Sequence, residues 1–107
     1  MTVKCEVCER ELEDYSANIM VSELEYPNPI TDIHVFCKQC TRNLDKISVG
    51  KLFHNMWELY WLRDNFAEHH QQVIDEEKEG SRVWGKNAKD KINAIGQSLG
   101  STLPPLK

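Results

Sequence analysis

All four cysteines of the chain fall in two C-x-x-C pairs, Cys5 and Cys8 in CEVC and Cys37 and Cys40 in CKQC, with 28 residues between the pairs. Two sulfurs separated by two residues in a tight turn can occupy adjacent corners of one tetrahedron, each about 2.3 Å from a central ion. Two such turns complete a four-cysteine shell with no position left for water or substrate, which is the arrangement of a structural rather than a catalytic zinc. The expectation is one structural Zn2+ held by Cys5, Cys8, Cys37 and Cys40. Disulfides, a redox C-x-x-C or an iron–sulfur cluster are the competing chemistries. No secretory signal opens the sequence as read, and a redox motif needs no second copy.

Outside the cysteines, no nucleophile–base pair, phosphate loop or open metal site stands out, so no enzymatic activity is expected. His69 and His70 are adjacent and point about 100° apart on a helix, so they cannot chelate one ion together. His34 reads as a strand residue, and Asp75, Glu76, Glu77 and Glu79 as a wet helix face. Arg10 is placed either to donate towards the thiolates or to sit in solvent.

Charge is unevenly spread. Residues 1–45 carry four bases against nine acids, whereas residues 80–107 carry five bases and one acid. Four thiolates on a divalent ion make the cysteine module more negative still, so phosphate is repelled from it. Arg82, Lys86, Lys89 and Lys91 are the candidates for phosphate contact, and a nucleic-acid-binding regulator using them is the alternative function.

These residues need positioning elements. Ile19-Met20-Val21 and Ile33-His34-Val35-Phe36 are short β-branched and aromatic runs that can pair as an antiparallel hairpin. Between them, Glu25-Tyr26-Pro27-Asn28-Pro29 reads as a loop. Phe36 then delivers Cys37 and Cys40 into the start of a helix, TRNLDKI, whose free N–H groups favour negative charge.

The order of knuckle, hairpin and second pair at a helix N-terminus resembles the treble-clef class of zinc fingers over roughly residues 3–48. IHVFCKQCTRNLDKI looks like the last strand and helix of HNH-type nucleases. That family's catalytic His is missing from SANIMVSELEY, and the position after the second pair is Thr41, so the resemblance implies no nuclease activity. The paired knuckles followed by helices also resemble zinc-binding anti-sigma proteins, which implies regulation by protein contact.

From Ser48, read as a cap with Gly50 close by, KLFHNMWELYWLRDNFAEHHQQVIDEEKEG runs without proline to Gly80 and predicts one long helix. Its first half is apolar around most of its circumference. The covers to weigh are the C-terminal helix, a second copy in a homodimer, or a foreign protein partner. Phe53, Trp57, Tyr60 and Trp61 are the candidate partner-binding residues, since exposed Trp and Tyr anchor interfaces. With only Lys51 and Arg63 nearby, base stacking is disfavoured.

After Gly80-Ser81, Ala88, Ile92, Ile95 and Leu99 form one stripe of an amphipathic helix that Gly100 ends, and the stripe is expected to pack antiparallel on the aromatic helix. STLPPLK reads as a mobile, polyproline-type tail, with a short docking peptide as the other reading.

The expected fold is therefore α+β, mainly α: a zinc-bound β-hairpin module (1–48), a helical hairpin or dimerisation region (49–100) and a flexible tail (101–107). The expected function is that of a small non-enzymatic regulatory protein, an inhibitor of a larger machine acting by protein contacts. A cytoplasmic location with no membrane span is expected.

Overall fold

The hairpin run ANIMVS becomes a strand buried almost throughout, and a strand buried on both faces must sit inside a sheet. The computed structural model describes residues 3–48 and 52–107. Along the chain lie β1 (Ala17–Ser22), β2 (His34–Cys37), α1 (Lys38–Ser48), β3 (Phe53–Glu58), α2 (Leu59–Asp64), α3 (Phe66–Glu79) and α4 (Lys86–Ser98). β1 is the central strand of an antiparallel sheet in the order β2-β1-β3. The fold is α+β, as expected. The hairpin pairs Ala17 with Cys37 and Ile19 with Val35.

The single long helix expected from Ser48 to Gly80 is corrected. FHNMWE is a strand, α2 follows it directly, and Asn65 (φ −139°, ψ 52°) separates α2 from α3. The cause is tertiary: the second edge of the buried strand β1 carries N–H and C=O groups that need a backbone partner, which β3 supplies through pairs such as Ile19–Trp57 and Val21–His54. The sheet thus crosses the boundary expected between residues 48 and 49. Gly50 and Lys51 lie outside the described residues, as does the side chain of Ser48, whose backbone ends α1.

Residues opposite one another across the ladder share a face. On the Asn18 face, α1 is tied down where the Asn18 amide donates to Thr41 Oγ1 at 3.0 Å and Thr41 donates to the Cys37 carbonyl at 2.9 Å. On the Ile19 face, Trp57 stacks on Trp84 (ring centroids 5.6 Å apart) and meets the edge of His69 (4.8 Å). Leu59 and Leu62 of α2, Val73 of α3, and Ala88, Ile92 and Ile95 of α4 complete the core.

α3 and α4 lie antiparallel. Gly96, late in α4, backs onto the Phe66 ring at the start of α3, while Lys89, early in α4, pairs with Glu77 near the end of α3 at 2.7 Å. α4 thus runs antiparallel to α3, the second half of the segment on which its stripe was expected to pack, and the stripe residues Ala88, Ile92 and Ile95 are buried in the common core. Both helices end at a left-handed glycine, Gly80 (φ 75°) and Gly100 (φ 76°). The following N–H reaches back in each case, Ser81 to Glu76 O at 3.0 Å and Ser101 to Gly96 O at 2.9 Å. The last residues are anchored rather than loose: Leu106 is buried, and its backbone is held by Asn93.

Candidate metal centre

Each cysteine is placed by backbone geometry. Lys4 and Glu11 form an antiparallel bridge, and the chain turns between them through the CEVC knuckle. The turn closes with the Glu9 N–H donating to the Cys5 carbonyl at 2.9 Å, and Glu9 takes a left-handed φ of 62°. Cys37 is the last residue of β2, and Cys40 lies in the first turn of α1. Strand, knuckle and helix start thereby bring together sulfurs from two ends of a 28-residue separation.

The four Sγ atoms lie within 4.8 Å of one another, and those of Cys8 and Cys37 are 3.8 Å apart. A tetrahedron with metal–sulfur bonds of about 2.3 Å has sulfur–sulfur edges of about 3.8 Å. A disulfide would need about 2.05 Å, and all four cysteines are free. The donor set therefore fits one metal ion.

Backbone donors already face this charge. The Cys37 N–H donates to Cys5 Sγ at 3.3 Å and the Cys40 N–H to Cys37 Sγ at 3.4 Å. Burial opposes ionisation of Cys5, but N–H donors from Cys37, Cys8 and Val7, with the Cys8 thiol, outweigh it and bring its pKa down to about 6. Burial pushes the Cys40 thiol up to about 12, with contributions from Cys37, Cys5 and Cys8. One thiolate forms readily and another resists. A bound divalent cation deprotonates a coordinated thiol outright, which would overcome the resistance of Cys40.

The knuckle is also bonded to the outer edge of β2. The Glu6 N–H donates to the Val35 carbonyl at 2.8 Å, and the Val35 N–H donates to the Glu6 carboxylate. Lys91, from α4, reaches Glu6 and Asp32 at 3.0 Å each and donates to the Ile33 carbonyl at 2.7 Å. Burial raises the Glu6 pKa, but His34, Lys91 and the Val35 N–H overcome that and hold it at about 2. Neither Glu6 nor Lys91 was legible as a structural link; the position of Glu6 inside the knuckle was the only sequence signal.

The remaining candidates are scattered. Trp57 is buried and Phe53 half-buried against Phe36, whereas Tyr60 and Trp61 on α2 are 42% and 41% exposed. Of the basic set, Arg82 pairs with Glu76 at 3.2 Å, Lys89 with Glu77, and Lys91 with Glu6 and Asp32. Lys86 is exposed beside Asp90. Arg10 is exposed. His34 stacks on Phe36 in β2, His69 lies against Trp57 and Trp61, and His70 is buried in α3. No described helix is long and apolar enough to cross a membrane. No protein-family model matches the chain, and comparison with curated proteins and with solved structures found no match.

Proposed function

We propose that this chain is a small non-catalytic protein, stabilised by one structural zinc, that regulates another protein by direct contact. Zinc is the ion that an all-cysteine, coordinatively closed tetrahedron suits best. The knuckle, hairpin and second pair at the helix start follow the treble-clef order. A closed shell offers no site for substrate, which supports a structural ion and a non-enzymatic role.

The observation that carries the contact reading is the exposure of Tyr60 and Trp61 side by side on α2, while Phe53 and Trp57 pack inward. Large aromatic side chains at a surface are favoured interface anchors, because each removes a wide apolar area from water on docking. All four candidate phosphate-binding cations are engaged in ion pairs within the chain, Lys86 in an exposed one with Asp90, which favours a protein partner over nucleic acid.

The test is native affinity capture with zinc-loaded protein, run in parallel with a Tyr60→Ser/Trp61→Ser variant. The captured protein is then identified and the pair rebuilt from purified components. A purified partner that binds wild type and variant equally well removes this surface from the reading.

A further inference from the structure

Residues 103–107 run along the groove between α3 and α4 and are held there mainly by their backbone. Asn93 grips both backbone polar groups of Leu106: the Leu106 N–H donates to Oδ1 at 2.8 Å, and Nδ2 donates to the Leu106 carbonyl at 3.0 Å. His70 Nε2 donates to the Pro104 carbonyl at 2.7 Å, which places the ring proton on that nitrogen. Lys89 donates to the Lys107 carbonyl at 2.7 Å. Leu106 is 8% exposed, whereas Leu103 is 41% exposed. A cavity of ≈ 190 Å³ remains among Pro104, Pro105, Phe66, His70, Asn93 and Gly96, so the resident segment does not fill the groove.

The arrangement reads an extended backbone plus one aliphatic anchor. A polyproline-type stretch suits it, since such a stretch has no internal hydrogen bonds and its carbonyls stay free to accept. None of the four polar contacts depends on the segment being joined to α4. Any chain presenting the same carbonyls, one N–H and an aliphatic side chain makes the same bonds.

We propose that the α3/α4 groove is a docking site for an extended Pro-Pro-aliphatic segment of another protein, with residues 103–107 of this chain as its resident competitor. The site uses residues separate from Tyr60 and Trp61, so it stands or falls independently of that surface. Tethering gives the resident segment an effective concentration of order millimolar, which masks the groove from weaker ligands until the anchor is lost or outcompeted.

The experiment uses the full zinc-loaded chain and a fluorescent STLPPLK peptide followed by anisotropy. Leu106→Ala empties the anchor position in cis, and the variant is expected to bind the peptide at least about tenfold more tightly than wild type. Adding Asn93→Ala to that variant is expected to abolish the gain, and a peptide with the second leucine replaced by alanine is expected not to bind. Should Leu106→Ala not fold, Pro104→Gly/Pro105→Gly loosens the resident segment without altering the groove and takes its place. A folded variant that ignores the peptide up to about 1 mM, or binds it no better than wild type, overturns the proposal. Self-association of wild type that Leu106→Ala abolishes also overturns it, since the occupant is then a second copy of this chain.

Discussion

Glu6 and Val35 are joined twice, once through the Glu6 backbone N–H and once through its carboxylate, so the metal knuckle serves as the edge partner of β2. Glu6→Ala removes the acceptor of the Val35 N–H and one partner of Lys91 together. The expected loss is about 1–3 kcal/mol, the usual range for a partly buried charged hydrogen bond, read as a lower urea midpoint in zinc-loaded protein. A midpoint equal to wild type would show that the edge contact contributes nothing.

The same residue has a definite pH signature. Its folded pKa, about 2, lies below the ordinary 4.5 of a free carboxyl. A depressed carboxyl stabilises fully above the unfolded pKa and loses that contribution as pH falls through the folded value. The carboxylate's contribution, read as the stability difference between wild type and Glu6→Gln, is therefore expected to be complete at about pH 5.5 and to shrink steadily as pH falls from there through about 2. A difference that does not change between about pH 5.5 and about pH 2 contradicts the assignment.

Metal analysis should return one zinc per chain, and chelation should unfold the module. Structural zinc in small fingers contributes about 10–16 kcal/mol, comparable with the ordering cost of a short knuckle-and-hairpin unit. Cys37→Ser and Cys40→Ser remove buried ligands and are expected to abolish stoichiometric binding. A protein that keeps its fold with neither ligand nor metal defeats the assignment.

The aromatic residues are expected to separate by role. Trp57→Ala vacates the stack on Trp84 and should cost about 3–5 kcal/mol. Tyr60→Ser/Trp61→Ser alters exposed side chains and should shift stability by less than about 1 kcal/mol. Thermal melts of the two variants decide it.

Two glycines differ in what surrounds them. A Cβ on Gly85 would lie 2.6 Å from the Thr31 carbonyl oxygen, a backbone atom fixed by the Ile30–Trp84 bridge. On Gly96 it would lie 2.5 Å from the tip of the Phe66 ring, which can swing aside. Gly85→Ala is expected to destabilise by about 2–3 kcal/mol, and Gly96→Ala by less, because the helix gains about 1 kcal/mol from the exchange. Pairing Gly96→Ala with Phe66→Leu should recover part of the loss. Equal effects of the two single changes would contradict the packing.

The cysteine module was legible because ligand spacing dictates it: two C-x-x-C turns, a strand pair between them and a helix after the second pair. FHNMWE was not, and the reason is local. A register irregularity between Ile19 and Met20 shifts the alternation along β3, so His54 and Trp57 share a face three residues apart. Three-residue spacing is what a helix shows, and the aromatic α2 that follows prolongs the impression. The break at Asn65 has neither glycine nor proline to mark it. The partner surface was legible only in part, since helical spacing cannot tell a Trp57 wedged between α3 and Trp84 from a Trp61 facing water. The docked Pro-Pro-Leu segment depends on Asn93 and His70, which only folding brings beside it.

Because Glu6 and Cys5 occupy peptide groups on the outside of β2, an ion that fixes the knuckle would protect solubility as well as shape. With the knuckle released, Val35 and Cys37 would present a bare ribbon edge to the next molecule, a ready template for chain-to-chain pairing. Metal-starved protein should therefore precipitate as the module unfolds.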